Sequence, residues 1–583
     1  MSGTPDSQKI YSKNEKEEII LDKDKEKDII ENELKNTNNK KKTINYFEVI
    51  NESKIQGWEN KLYESKLAIR DFTKVNDADI LSEEFNDKKA IRVISADIER
   101  TRVQESKDLL SFKDYVYQLI IYYMKHNNLS YKQGLNEIAG PFIILKYHLQ
   151  ISFTKIYYMF VCFIDKFLTN YFQEFDFYSL KSSLSLINLL LKYHDPELFH
   201  RFEDSLITPD LYATSWLLTL FSNKCALHVV YQLWDKLILF DDNLFPHFFI
   251  TAYLIKSRKK FFEIDSMVIL SVLSQLHIDT IEEVNDILDF AAEIRDRTPY
   301  SFYLLANKLE IFNFNSQKLK NLYEEIQPDK MLALPIFPTE LFSITHQDLF
   351  GCVDEACINF LKTGKNFNKS SKCIFCRSKF IKPKLYYIII DLRIFEDENK
   401  ENKKSKLKNE FFSPSFPGFL PKTINITKEE LNDKQFPKNI LEQYKDDKDN
   451  SHFIIITSET YYFDKYEKEY YKDKDRRSSK AGIFFKLYKE LDKEKADNLG
   501  KKNRNSKNYI LLKELDYYKN IINEMNKEGF KYVSFVYGGY KNAHSVAMKY
   551  NIELLEHKEK CFLCEEKKYE KYEKIHSFLK SFI

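Results

Sequence analysis

The chain has 583 residues, 43% of them hydrophobic and 15% aromatic, so it is too long for one core and has enough apolar side chains for two or three domains. Its 90 basic and 88 acidic residues leave a formal charge of +2, and this balance argues against nucleic acid as the main partner, because phosphate binding needs a basic surplus. The most membrane-like run, Ile156 to Ile164, is bracketed by Lys155 and Asp165 and falls well short of the roughly 20 apolar residues of a membrane span. We expect it to be a core helix and predict no transmembrane segment.

Residues 1–45 are dominated by charged residues and asparagine. They carry too little apolar surface to offset the entropy of ordering, so we predict a disordered charged tail. The beginning of the chain lacks the apolar segment of a secretory signal, and we expect a cytoplasmic protein whose eight cysteines are reduced.

From residue 46 to residue 315 the pattern is helical almost throughout. The segments DLLSFKDYVYQLIIYYM, LKSSLSLINLLLKY and IEEVNDILDFAAEI carry apolar residues at spacings of three and four. Pro196 cannot continue the second of these helices but suits the first turn of the next one. We therefore predict an all-α domain over residues 46–315.

Two short motifs in this region combine polar groups at fixed spacing. The first is Ile94-x-x-Asp97-x-x-Arg100, and the second places Tyr131 two residues before Gln133, which lies 33 residues after Arg100. By itself the first motif is typical of an ion pair on a solvated helix face, and the second of a turn with a satisfied amide. Either motif alone is weak.

The two motifs in this order resemble the dual-finger signature of the TBC family of Rab GTPase-activating proteins. Other segments resemble the same family: Pro209, Tyr212, Trp216 and Leu217 in LITPDLYATSWLLTLFS, the pair Trp234-Asp235, and RTPYSF near the end of the domain. We expect the tryptophans to be core residues and Asp235 to cap a helix or pair with a buried arginine. Trp58 is the nearest candidate for the tryptophan of the family's first helix.

The resemblance implies roles for four residues. Arg100 corresponds to the arginine finger, which neutralises charge on the phosphoryl group transferred in a partner GTPase, and Gln133 to a second finger that orients the attacking water. Asp97 is expected to hold Arg100, and Tyr131 to aim the Gln133 loop. GTP and Mg²⁺ belong to the partner GTPase.

After a predicted connector, residues 316–365, the pattern changes to that of an α/β domain. LYYIIIDLR, HFIIIT and YVSFVYGG are short continuous apolar runs, typical of parallel strands buried on both faces. Helical segments lie between them, and Gly529 is a candidate helix C-cap. Hydrophilic insertions such as DENKENKKSKLKNE indicate surface loops.

Residues 366–583 resemble a rhodanese-like domain. Asp391-x-Arg393 at a strand end, the segment GFLPKTINI and the turn in YVSFVYGGY carry this resemblance. An active rhodanese holds sulfur on a cysteine directly after its central strand, here HFIIIT, but the following SETYYFDKY contains none. The domain is therefore expected to be catalytically silent and no sulfurtransferase.

A TBC domain followed by an inactive rhodanese-like domain resembles the TBC family member 23 subgroup and, as a second choice, the kinase-like TBC subgroup. This leaves two functions open. One is a GTPase-activating protein for a Rab in vesicle trafficking, using both fingers. The other is a silent adaptor that tethers endosome-derived vesicles at the Golgi through golgins. Either implies a protein peripheral to Golgi or endosomal membranes.

Two cysteine pairs flank the α/β domain, Cys373-x-x-Cys376 and Cys561-x-x-Cys564. Two such knuckles are the usual ligands of a structural Zn²⁺ site, and domain termini commonly lie close together. We therefore predict a closed four-cysteine zinc site. Cys162 and Cys225 lie in apolar helical segments and are predicted to be core residues, and the spacing of Cys352 and Cys357 favours a helix.

Overall fold

The computed structural model describes residues 49–63, 75–102, 109–172, 176–313, 317–345, 385–393, 420, 423–459, 507–549, 552–555, 557 and 563–564. The chain divides into two compact units, Met1–Gln56 and Gly57–Ile583, and the second unit holds both a large helical part and a parallel sheet. The predicted tail, residues 1–45, lies outside the described residues, as do the hydrophilic insertions.

The helical part follows the predicted spacing of apolar residues. In chain order its α-helices are α1 (Glu52–Tyr63), α2 (Asp77–Leu81), α3 (Lys88–Glu99), α4 (Leu109–His126), α5 (Leu135–Leu149), α6 (Phe153–Phe167), α7 (Tyr178–His194), α8 (Pro196–Asp204), α9 (Pro209–Thr219), α10 (Leu227–Phe240), α11 (Phe245–Lys256), α12 (Arg258–Phe262), α13 (Ile269–Gln275), α14 (Ile281–Arg297), α15 (Ser301–Lys308) and α16 (Leu319–Ile326). No described helix combines the length and the apolar character needed to cross a bilayer.

Local signals set the ends of these helices as expected. Pro196 occupies the first turn of α8, where Asp195 accepts a hydrogen bond from the backbone N–H of Leu198. Helix α6 is buried along most of its length, which confirms the run around Ile156 as a core helix. Cys162 and Cys225 are buried as predicted.

The predicted core tryptophans are buried, and the prediction that Asp235 caps a helix is wrong. The Trp234 ring packs against Phe163 with 4.6 Å between ring centroids, and its indole N–H donates to the Leu220 carbonyl over 3.0 Å. Asp235 lies inside α10 and caps no end of it; its Oδ1 accepts a hydrogen bond from the indole N–H of Trp58 at 2.8 Å. A buried indole needs an acceptor, and the interior of α10 supplies one across 177 residues of sequence.

The sheet has five parallel strands in the order β1-β5-β4-β2-β3. The strands are β1 (Leu334–Ile336), β2 (Tyr386–Asp391), β3 (Thr423–Asn425), β4 (Ser451–Ile456) and β5 (Val533–Val536). The three predicted strands are β2, β4 and β5, and β4 is the central one. Both edge strands are three residues long and escaped prediction, because so short a run has no readable pattern; β1 lies within residues 316–365, the predicted connector.

The α-helices of the sheet region are α17 (Pro338–Thr345), α18 (Lys428–Leu431), α19 (Lys438–Leu441), α20 (Lys507–Lys527) and α21 (Gly539–Lys549). Gly529 has φ of 76° and follows the end of α20, which confirms it as a C-cap. Side chains from α17, α21 and the strands form one buried core that includes Leu341, Ile454 and Tyr540.

The sheet packs directly on the helical part. The backbone N–H of Tyr532, just before β5, donates to the Tyr193 carbonyl of α7 at 2.7 Å. Glu340 of α17 accepts hydrogen bonds from the backbone N–H groups of Tyr300 and Ser301 at 2.9 and 2.7 Å, and so caps the start of α15. Burial raises the pKa of this carboxyl group. The helical and α/β regions are thus joined by specific buried contacts.

Candidate functional site

Arg100 lies at the C-terminal end of α3. Asp87 begins this helix by accepting hydrogen bonds from the backbone N–H groups of Lys89 and Ala90, and Ile94 and Ile98 bury its apolar face. The Arg100 side chain is 62% exposed, so its guanidinium lies at the protein surface.

Asp97 connects the two predicted motifs. Its side chain is only 6% exposed, and Oδ1 forms an ion pair with the Arg100 guanidinium. Its other oxygen, Oδ2, accepts a hydrogen bond from the Tyr131 hydroxyl at 2.9 Å. One carboxylate therefore holds both the residue at the end of α3 and the loop that leads to Gln133.

Asn136 and Thr101 extend this network behind the surface. Asn136 donates from Nδ2 to Thr101 Oγ1 at 2.8 Å and accepts at Oδ1 from the backbone N–H of Gly134 at 3.1 Å. Thr101 in turn donates to the backbone carbonyl of Asp97 at 2.8 Å. The motifs did not assign Asn136 or Thr101 a role, although Thr101 directly follows Arg100 and Asn136 lies three residues after Gln133.

Gln133 and Gly134 lie at the end of the loop between α4 and α5. Gln133 is exposed, and among the residues that the structure describes none hydrogen-bonds its amide. Gly134 begins the turn into α5 with φ of 111°, a conformation that favours glycine. Gly140 allows α5 to approach closely, since a Cβ there would lie 3.2 Å from Thr101 Cγ2. The loop is anchored at Tyr131 and Gly134 and leaves the Gln133 side chain at the surface.

The environment of Tyr131 keeps its hydroxyl neutral. Burial raises the pKa of Tyr131 well above its usual value, and the hydrogen bond to Asp97 raises it further. The hydroxyl is therefore a permanent donor to the carboxylate at neutral pH.

Arg102 lies two residues beyond Arg100 but has a different environment. Its guanidinium donates to the backbone carbonyls of Ser222 and Cys225, the second at 3.1 Å. Arg102 thereby ties the segment after α3 to the loop before α10, while Arg100 faces the surface. Burial raises the pKa of the Cys225 thiol to about 12, so this cysteine is an inert core residue.

The strand-end residues Asp391 and Arg393 form a buried ion pair. Both side chains are 1% exposed, the shortest N–O distance is 2.6 Å, and the Arg393 guanidinium lies 3.6 Å above the centre of the Tyr540 ring. In the loop after β4, the backbone N–H and the hydroxyl of Ser458 both donate to Glu514 at 2.8 Å. Ser458 and Glu514 are thus bonded to each other at the start of the loop after β4.

The predicted zinc ligands lie mostly outside the described residues: this holds for Cys373, Cys376 and Cys561, and also for Cys352 and Cys357. Cys564 is described, and its Sγ lies 3.6 Å from Nε2 of His544 and 3.8 Å from Nε2 of His557. The sequence did not single out these histidines.

Comparison with known proteins identifies the helical region. Residues 56–262 match the family described as the Rab-GTPase-TBC domain. The human TBC domain-containing protein kinase-like protein is 33% identical over 116 residues, which are 20% of this chain and 13% of that protein. Human TBC1 domain family member 13 is 27% identical over 191 residues, 30% of this chain and 46% of that one. The chain thus spans less than half of either relative. A crystal structure of the Ypt/Rab-GAP domain of Gyp1p covers 42% of this chain and 79% of its own, with 19% identity and a TM-score of 0.30.

Proposed function

We propose that this chain, which carries a Rab-GTPase-TBC domain at residues 56–262, accelerates GTP hydrolysis in a Rab-family GTPase by inserting Arg100 and Gln133 into the partner's active site. The observation that carries the proposal is the Asp97 carboxylate, which binds Arg100 with one oxygen and Tyr131 with the other. A surface ion pair needs no third partner, whereas two fingers that act together need a common support.

Arg100 supplies positive charge to the transition state. Its guanidinium is exposed, and its planar donors suit the oxygens of a phosphoryl group. Because Asp97 holds it at the end of a helix, little side-chain entropy is lost when the GTPase docks. An arginine supplied in trans accelerates hydrolysis by roughly 10³–10⁵.

Gln133 positions the attacking water. Its amide offers both a donor and an acceptor, which is what a water nucleophile near a phosphoryl group requires. Tyr131 and Gly134 fix the loop on either side of it through Asp97 and Asn136. The nucleotide and its Mg²⁺ come with the GTPase, so the chain itself holds no cofactor for this reaction.

We further infer that the α/β region is a rhodanese-like scaffold without sulfurtransferase activity. The loop after β4 has no cysteine to carry sulfur, and Glu514 occupies the donors of Ser458. Its packing on α7 and α15 supports a structural role beside the TBC domain. We also propose a place in vesicle traffic between endosomes and the Golgi, which the sequence resemblance to the member 23 subgroup implies.

A single-turnover GTP hydrolysis screen over a panel of Rab proteins tests the proposal. The wild-type chain is expected to stimulate at least one Rab, and Arg100→Ala to reduce that rate by about 10³ or more. Gln133→Ala is expected to lower the rate strongly while Rab binding persists. Arg92→Ala is the matched control, because Arg92 is an exposed arginine on the same helix, outside the network.

If no Rab is stimulated although Rab complexes form, the GTPase-activating function is wrong. Retained binding to golgins in that case would favour the adaptor that tethers endosome-derived vesicles.

A further inference from the structure

We propose that His544, on α21, forms a zinc site together with His557 and Cys564 from the segment that follows this helix. This site is independent of the GTPase-activating function. Of the four cysteines predicted from sequence the proposed site includes Cys564, and His544 and His557 take the place of the pair Cys373 and Cys376.

The three ligand atoms have the spacing of a metal site. The two histidine Nε2 atoms are 3.0 Å apart, and the Cys564 Sγ lies 3.6 and 3.8 Å from them. Tetrahedral zinc with Zn–N near 2.0–2.1 Å and Zn–S near 2.3 Å places two nitrogens about 3.3 Å apart and a nitrogen and a sulfur about 3.6 Å apart. Shifts of a few tenths of an ångström bring all three atoms to zinc geometry.

Packing of neighbouring residues holds the ligands together. His544 is buried on α21, where Ala543 and Ala547 face the core. Leu554 lies three residues before His557, and Leu563 directly precedes Cys564. Both leucines belong to the same buried core. The three ligands therefore converge because the apolar side chains beside them are fixed.

The donor set selects the metal. Two imidazoles and a thiol match zinc and other borderline metals, whereas Mg²⁺ and Ca²⁺ take oxygen ligands. A hydrogen bond between the two imidazoles would by itself explain their 3.0 Å contact. It does not account for a thiol placed within ligand distance of both rings.

A metal at this point has a structural use. Residues 552–555, 557 and 563–564 contain little regular structure, and only a few apolar side chains tie them to the core. Zinc bound to His544 fastens this segment to α21, in the way that metals stabilise segments too short to bury their own core. A tetrahedral zinc site needs one further donor beyond these three side chains.

Zinc analysis of the freshly purified full-length chain tests the site. We expect about one zinc per chain, the stoichiometry of a single tetrahedral centre. His557→Ala should release it, and His557→Cys should retain it, because cysteine is also a zinc ligand. Cys373→Ser/Cys376→Ser is the decisive comparison and should keep its zinc. His277→Ala, which removes an exposed histidine elsewhere, controls for adventitious binding.

Cobalt substitution gives a second reading that does not depend on activity. The wild-type chain with Co²⁺ should show the intense visible bands of a tetrahedral site and a thiolate charge-transfer band that disappears in Cys564→Ser. The proposal is overturned by a wild-type chain without zinc. It is equally overturned if the Cys373/Cys376 double variant loses the metal while His557→Ala keeps it.

Discussion

The Tyr131 hydroxyl donates a 2.9 Å hydrogen bond to Oδ2 of Asp97, across 34 residues of sequence, and leaves Oδ1 to the exposed Arg100. The geometry makes Asp97 the shared support of two surface loops. Arg100 caps the C-terminal end of α3, whereas the segment around Tyr131 has no regular secondary structure, so side-chain contacts decide the position of that segment.

Replacing Tyr131 with phenylalanine keeps the ring and removes the hydroxyl. We expect the single-turnover stimulation of a responsive Rab to fall by about tenfold, because the Gln133 loop loses its bond to Asp97. The free energy of unfolding should fall by only about 1 kcal/mol, the usual value of one hydrogen bond. Tyr386→Phe, at an 84% exposed tyrosine, is the control. An unchanged rate in Tyr131→Phe would show that the hydroxyl does not position the loop.

Gly539 has no room for a side chain. A Cβ there would lie 2.7 Å from the Thr457 carbonyl oxygen and 2.8 Å from that of Ser458, at φ of 63°. We expect Gly539→Ala to lower the free energy of unfolding by at least about 2 kcal/mol, since the backbone strain and the clash both oppose folding. Gly57→Ala is the matched control: Gly57 lies inside α1 with nothing within 4 Å of a Cβ, so alanine should stabilise the chain by about 0.5–1 kcal/mol. Urea denaturation of both variants measures the difference, and equal effects would contradict the close approach.

The buried pair Asp391–Arg393 should be costly to break. Asp391→Asn replaces the carboxylate paired with the buried Arg393 guanidinium by a neutral amide, and we expect a loss of about 3–5 kcal/mol in unfolding free energy. The exposed pair of Asp449 with Lys531 provides the comparison, and Asp449→Asn should cost no more than about 1 kcal/mol. Equilibrium denaturation measures both values. Similar losses in the two variants would mean that burial does not govern the strength of the first pair.

Three buried histidines should make the free energy of unfolding fall as the pH is lowered. Burial lowers the pKa of His194 and His452 to about 3 and that of His247 to about 4. The ordinary pKa of histidine is about 6.5, so below that pH the unfolded chain binds protons that the folded chain does not. Stability is complete above pH 6.5 and should decline on acidification, by about 2 kcal/mol per histidine at pH 5.

The variant His452→Gln tests this linkage. The neutral amide can still reach Ser534, which contacts the ring nitrogen of His452 at 2.9 Å, but it takes up no proton. The slope of unfolding free energy against pH between 5 and 6 should decrease by roughly 1.4 kcal/mol per pH unit. His277→Gln, at an exposed histidine, should leave the slope unchanged. A slope in His452→Gln equal to that of the wild type would show that His452 titrates normally in the fold.

Local patterns in the sequence predicted most of the helices and the three longer strands. Apolar residues at spacings of three and four indicated helices, because residues at these spacings lie on the same face of a helix. The continuous apolar runs that became β2, β4 and β5 required strands covered on both faces. The TBC region was recognisable because each of its motifs is a short segment of consecutive residues.

The tertiary structure alone decided which polar groups meet. Arg100 and Arg102 are both arginines after the same helix, yet Arg102 bonds to backbone carbonyls around Ser222 while Arg100 stays exposed. Asn136 bonds to Thr101 of the first motif segment, and Asp235 bonds to Trp58 far along the chain. His544 becomes a neighbour of Cys564 in the same way. Such contacts depend on the packing of elements distant in sequence, and a side chain's distant partners leave no periodic trace in the residues around it.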